Sequence, residues 1–155
     1  MKILKVLIPL IVVFSLFYVS NNYVSIIRIT GTSMNPTIAE NSIMLVNKKY
    51  EELSRFDIIV IEYEGQKMAK RILGMPGEVV EIKEAHVHIN GVRIEDPYNN
   101  YIIASMGPVT LYDEEYFLLG DNRALSLDSR TFGKINDDMI IGEVFYSILP
   151  YGEVN

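Results

Sequence analysis

The chain opens on one long uncharged stretch and then breaks into short apolar runs. From Val6 to Ile27 none of 22 residues carries a charge. At a helical rise of about 1.5 Å per residue that is about 33 Å, enough to cross the hydrocarbon core of a bilayer. The strongly apolar part, Val6 to Val19, predicts a transmembrane helix, with Lys2 and Lys5 before it and Asn21-Asn22-Tyr23 after it. Positive residues stay on the cytoplasmic side, so the pattern predicts a single-pass anchor with its N-terminus inside and the rest of the chain outside. Pro9 is compatible with this, because membrane helices tolerate proline better than soluble ones. A cleaved leader is the alternative, but cutting after Ser20 would put Tyr18 where a small residue is wanted.

After the anchor the periodicity changes to that of strands. The runs Ser25–Thr30, Ile43–Val46, Asp57–Tyr63, Val79–Ile82, Tyr116–Leu119 and Gly142–Ile148 are β-branched or aromatic and are bounded by Gly, Pro, Asn and Asp. Asn90-Gly91 lies between His86–Ile89 and Val92–Ile94, the signal of a two-residue hairpin whose turn positions both take positive φ. The hairpin reads as an outlying ribbon, and Glu95–Pro108 as a loop returning to the core. The division is therefore an anchor over 1–22 and one mostly β domain over 23–155, with a hairpin extension over about 83–108.

Composition narrows the partners. A chain of 155 residues has room for one domain, and roughly two-thirds of its surface can be buried on folding, so a core forms without disulfides. There is no cysteine, which removes thiol nucleophiles and thiolate metal sites. Behind Lys2 and Lys5 come 12 basic and 20 acidic residues, a net charge of −8 that argues against nucleic acid as a partner. His86 and His88 alternate on one strand face, but no third ligand accompanies them, so they read as polar residues on the wet face of the hairpin and no metal site is expected. Tyr98 and Tyr101 read as loop packing or interface anchors.

Three segments carry chemistry. Gly31-Thr32-Ser33-Met34-Asn35-Pro36-Thr37-Ile38 places a serine on a turn, where Gly31 allows unusual φ and Pro36 stiffens the exit. Lys70-Arg71-Ile72-Leu73-Gly74-Met75-Pro76-Gly77-Glu78 places a lysine in an apolar run. An exposed lysine is a poor base at neutral pH, and burial can lower its pKa by about 3–5 units. Lys67, nearer the Glu64-Gly65-Gln66 turn, is the less protected amine. The third segment is Gly120-Asp121-Asn122-Arg123-Ala124-Leu125-Ser126-Leu127-Asp128-Ser129-Arg130-Thr131-Phe132-Gly133. A lone Gly-x-Ser or Lys-Arg pair is ordinarily turn chemistry or a solvated strand end; the three together supply a hydroxyl nucleophile and an amine to deprotonate it.

In order and spacing these motifs resemble bacterial type I signal peptidase, the leader peptidases with a serine–lysine dyad, over nearly the whole chain. The resemblance implies a core of coiled antiparallel sheets and a membrane-anchored serine endopeptidase. Its substrates would be signal peptides of secretory precursors, cut after Ala-x-Ala at the outer face of the bacterial cytoplasmic membrane, with the lipid bilayer as its other partner. It implies no metal or organic cofactor. It assigns the nucleophile to Ser33, the general base to Lys70, a hydrogen bond to the Lys70 amine to Ser126, and a supporting ion pair to Asp128 and Arg130. Ile27, Ile29, Met34, Ile38 and Ala69 would wall the pockets for substrate positions −1 and −3. Three positions depart from the family's pattern: Leu125 where many relatives have Asn, Gly31 where some have a serine that helps bind the oxyanion, and Phe56 where glycine is common. Two other readings stay open, a self-cleaving repressor-type Ser/Lys protease and a non-catalytic membrane-bound binding protein on the same fold.

Overall fold

The computed structural model describes residues 2–99, 103–149 and 152–154. Helix α1 covers Lys2–Tyr23. Two of its polar side chains bond back to its own carbonyls, Ser15 Oγ to Val12 O at 3.0 Å and Asn22 Nδ2 to Tyr18 O at 2.8 Å. Leu10, Val13, Phe14 and Phe17 are 61–71% exposed, so the domain does not cover this apolar surface. Among the described residues no helix is long and apolar enough to cross a membrane. The uncharged run continues to Ile27, but the helix stops at Tyr23, because Val24–Arg28 is drawn into the sheet as strand β1.

The remaining strands are β2 (Ile43–Asn47), β3 (Ile58–Tyr63), β4 (Gln66–Gly74), β5 (Val79–Lys83), β6 (His86–Ile89), β7 (Val92–Arg93), β8 (Met106–Thr110), β9 (Glu115–Leu119), β10 (Ile135–Asn136), β11 (Ile140–Leu149) and β12 (Gly152–Glu153). A one-turn helix α2 (Ser129–Phe132) follows β9, and a 3₁₀ turn, Asp137–Met139, precedes β11. Among the described residues, one antiparallel sheet has the order β1-β2-β11-β3-β4-β9-β10 with β12 beside β11. A second has the order β7-β6-β5-β8.

Strand β3 shows why the large sheet is covered on both faces. Ile58, Ile59, Val60 and Ile61 are all buried, a continuous apolar run rather than an alternation. Successive side chains point to opposite faces. Ile58 and Val60 join a cluster with Ile27, Met34, Ile38 and Ala69, whereas Ile59 and Ile61 join Leu53, Ile72, Leu118 and Ile135. The neighbouring β4 leaves its tight turn at Glu64 and Gly65, both at positive φ, and is buried from Ala69 to Gly74.

The hairpin is not an outlying ribbon. The Asn90-Gly91 turn forms with φ of 51° and 80° as the sequence predicts. Yet β6 pairs with β5, and β5 pairs with β8, which begins inside the segment read as a loop to Pro108. Pro108 is accommodated because β8 is an edge strand with a register shift opposite Val80–Ile82, where a missing N–H costs no ladder bond. Val80, Ile82, Val87 and Ile89 pack on Leu73, Phe117 and Leu119, so this small sheet shares a core with the large one.

Candidate active site

The connection from β1 to β2 holds the serine. Ile29 N–H bonds Ser42 O at 2.9 Å and Asn41 N–H bonds Ile29 O at 2.9 Å, closing the loop at its base. Gly31 makes the turn at φ 92°, a region that favours glycine. Met34 and Ile38, each 1% exposed, anchor the loop in the core beneath. Ser33, immediately before Met34, is partly exposed.

Strand β4 supplies two adjacent buried cations, and the fold treats them differently. A buried charge must be paired or neutralised. Arg71 cannot lose its proton, and it is paired: Nε and Nη2 each lie 2.8 Å from the Asp121 carboxylate, and Nη1 donates to Phe56 O at 2.6 Å. Lys70 makes no ion pair among the described residues. Burial lowers its pKa to about 8, against the smaller upward pull of Asp128 and Asp121. Its Nζ sits 2.9 Å from Ser33 Oγ and donates to Ala69 O at 2.9 Å. A neutral amine in this position can accept the serine proton while Ala69 O fixes its orientation.

The segment after β9 ties these parts together. Asn122 N–H donates to Ser33 O at 2.9 Å, and Asn122 Nδ2 donates to Thr32 O at 3.2 Å. Asp128 and Arg130 form the expected pair, two-pronged, with Nε–Oδ1 and Nη2–Oδ2 both at 2.8 Å. Asp128 also caps α2 through Arg130 N–H at 3.2 Å and accepts Gly120 N–H at 3.1 Å. Gly120 has no room for a side chain: a Cβ would stand 2.2 Å from Ser126 Oγ and 2.5 Å from Ser33 O.

The expected bond from Ser126 to Lys70 is absent. Ser126 Oγ is buried without a hydrogen-bond partner among the described residues, held against Gly120, and the Ala69 carbonyl takes the acceptor position on the amine. The five residues expected to wall the substrate pockets do come together, in one cluster, but as its closed floor rather than as open walls. Ile27 lines an open groove, of about 500 Å³, with Ile26, Arg28, Thr30, Gln66 and Lys67. This groove shares Thr30, Gln66 and Lys67 with the cleft of about 350 Å³ that contains Ser33 and Lys70 and that Leu125 and Leu127 also line.

Sequence reasoning missed the buried arginine pairs, Arg71 with Asp121 and Arg123 with Asp96. The signal for the first was present: an arginine in a strand buried on both faces requires a carboxylate. Phe56, where the family's pattern commonly has glycine, keeps the glycine backbone, with φ 76°. His86 and His88 stay half-buried on β6, and among the described residues no group of three or more His, Cys, Asp or Glu is placed to hold a metal. Tyr101 lies outside the described residues.

Comparison with known proteins identifies the family. The sequence pattern of the family described as signal peptidase, peptidase S26, matches residues 1–149. Signal peptidase I T of Bacillus subtilis (strain 168) is 34% identical, over 81% of this chain and 74% of its own. Signal peptidase IB of Staphylococcus aureus (strain COL) is 28% identical, over 98% of this chain and 92% of its own. The crystal structure of a signal peptidase I from Enterococcus faecalis V583 superposes with a TM-score of 0.55 at 32% identity, covering 61% of this chain and 98% of that one.

Proposed function

The chain belongs to the signal peptidase family, peptidase S26, and is a hydrolase of the serine-peptidase kind; from that premise we propose that it cleaves N-terminal signal peptides from exported precursors with a Ser33–Lys70 dyad. The observation that carries the proposal is the 2.9 Å contact between Ser33 Oγ and the buried Lys70 amine. Ser33 attacks the carbonyl at the end of the leader and passes its proton to neutral Lys70, which hands it to the leaving amine. Lys70 then takes a proton from water, and the resulting hydroxide equivalent releases the acyl-enzyme. With glycine at position 31, the oxyanion is left to backbone donors, chiefly the Ser33 N–H, in a site where one donor is worth about 10²–10³ in rate.

Substrate is read in extended form along the groove between β1 and the start of β4, the mode in which alternate side chains enter the protein. The floor of Ile27, Ile29, Met34, Ile38 and Ala69 is apolar and already packed, so the side chains at −1 and −3 must be small and uncharged. Peptides ending in Ala-x-Ala should be cut, those with −1 Ala→Leu or −3 Ala→Asp should not, and substitution at −2 should matter little. Cleavage rates of such peptides by the chain in detergent, with the cut site read by mass spectrometry, test this. Equal rates for alanine and leucine at −1 would refute the specificity, and no cleavage of any precursor would refute the activity.

The same reading makes α1 a single-pass anchor, with the catalytic domain on the outer face of the bacterial cytoplasmic membrane. Over the full sequence, Val6–Tyr23 is 18 uncharged helical residues, about 27 Å long, with Lys2 and Lys5 on the inner side. Its exposed apolar side chains need a non-aqueous surrounding. Protease added to intact spheroplasts is expected to digest the domain; a protected domain would overturn the orientation.

A further inference from the structure

Two buried arginines border the dyad, and the partners that cover them come from outside the motifs. Arg71 is the residue after Lys70; Arg123 lies in the turn that holds Ser33. Arg123 Nε donates to Gly120 O at 2.9 Å, and its own carbonyl accepts Arg130 Nη2 at 2.7 Å. Arg71 holds Asp121 in the same turn. Both guanidinium groups are thus built into the frame that fixes Gly120, Asn122 and, through Asn122, the Ser33 carbonyl.

The short turn Asp96–Asn99, which follows β7 in the small sheet, reaches both of them. The ring of Tyr98 lies over the Arg71 guanidinium, 3.8 Å from carbon to ring centre. Asp96 Oδ2 is 2.6 Å from Arg123 Nη1, a charge contact outside hydrogen-bond alignment, with both side chains at most 2% exposed. The turn is itself braced: Asp96 Oδ1 accepts Tyr98 N–H at 3.1 Å, and Asn99 Nδ2 donates to Ala85 O at 2.8 Å between β5 and β6. One carboxylate therefore shapes the turn with one oxygen and meets Arg123 with the other.

We propose that Asp96 and Tyr98 are positioning residues for the dyad, by which the small sheet closes the back of the active site through Arg123 and Arg71. Neither touches substrate or the reacting atoms. Tyr98 excludes water from the Arg71–Asp121 pair and keeps Asp121 engaged with Arg71, while Asp96 balances the charge of Arg123 so that its Nε stays on Gly120 O. The charges that act on Lys70 are Asp128 and Asp121, held in turn by Arg130 and Arg71, and Lys67 lines the same cleft. Loss of the Tyr98 ring admits water behind β4 and frees Asp121, and both changes favour protonated Lys70.

This inference rests on the proposed peptidase activity, so its test includes a measurement that needs no turnover. The full chain in detergent, with ¹³C-labelled lysine, gives the Lys70 titration by NMR, and an Ala-x-Ala peptide gives kcat and KM. Tyr98→Leu, folded as judged by circular dichroism, is expected to lower kcat about tenfold or more with KM little changed, since small displacements of a dyad are costly. Its Lys70 midpoint should rise by about half a unit or more. Parent-like kcat and an unmoved Lys70 midpoint in Tyr98→Leu would overturn the proposal. Should that variant not fold, Asp96→Asn carries the test: it keeps the turn's acceptor and removes the charge, and a kcat close to the parent's would overturn the proposal, while a loss of about tenfold supports it. A parent chain that cuts no peptide removes the peptidase reading, and the Lys70 titration still decides the coupling.

Discussion

Ser33→Ala and Lys70→Met should each abolish peptide cleavage, by at least about 10³-fold, and the double variant should be no worse than either alone, because a nucleophile and its base act as one unit. Methionine is the informative replacement for Lys70. It matches the volume of a side chain that is 2% exposed and removes an amine without an ionic partner among the described residues, so the variant should unfold at or above the parent's temperature while losing activity. The parent's pH profile is set by the same group. Burial lowers the Lys70 pKa to about 8, so kcat/KM should rise about tenfold per pH unit below that value and level off above it. Between about pH 8 and the ordinary lysine value of about 10.4, the unfolded chain holds a proton that the folded chain has released, so this group's contribution to stability increases with pH. An acid limb centred near pH 6, or residual cleavage by Lys70→Met within tenfold of the parent, would remove Lys70 as the base.

The parts of this architecture that were legible in the sequence are those written in local pattern. Strands β1, β2, β3, β5, β9 and β11 followed from β-branched and aromatic runs, and the Asn90-Gly91 turn from residues that tolerate positive φ. Ser33 and Lys70, 37 residues apart, were paired through resemblance, and the fold brings them within hydrogen-bond distance. What local pattern did not carry is long-range. Strand β8 contains Gly107-Pro108, which reads as a breaker until one sees that β8 occupies an edge. The small sheet looked like a lone ribbon because its packing partners, Leu73, Phe117 and Leu119, lie in segments distant from it in the chain. Helix α1 ended four residues before the uncharged run did, since Val24–Arg28 suits a strand as well as a bilayer and β2 offered a partner.

The polar interior was the least legible. The sequence offers 20 carboxylates, and nothing in spacing says that Asp121 meets Arg71 or that Asp96 meets Arg123. Ser126 shows the opposite case, a contact expected by resemblance that is not made among the described residues, where the Lys70 amine donates to the Ala69 carbonyl. Phe56 keeps a glycine's φ with a large side chain, because its carbonyl is held by Arg71 and its N–H by Ile72 O at 2.9 Å. Those bonds fix the backbone whatever residue stands there.

Gly120→Ala should cost the enzyme about 10²-fold in kcat while leaving it folded. The added Cβ would lie 2.2 Å from Ser126 Oγ and 2.5 Å from the Ser33 carbonyl oxygen, far inside any real contact. Gly120 cannot retreat: its N–H is held by Asp128 Oδ2 at 3.1 Å and its carbonyl by Arg123 Nε at 2.9 Å, two groups that are themselves paired and buried. Ser126 can turn its hydroxyl away, so the first clash is cheap. The second is not, because Ser33 O belongs to the backbone and is drawn towards the same turn by Asn122 N–H at 2.9 Å. Relief therefore requires the Ser33 loop to move by about 1 Å, which lengthens the contact between Oγ and Lys70, and a misplacement of that size is worth about 10² in rate. Overpacking of this kind also costs about 1–3 kcal/mol in stability. Gly107→Ala is the control, since a Cβ there meets nothing within 4 Å. Adding Ser126→Gly to Gly120→Ala should recover little, as it removes only the cheaper clash. Activity of Gly120→Ala within about tenfold of the parent, or full recovery in the double variant, would mean that the Ser33 carbonyl is not what sets the limit.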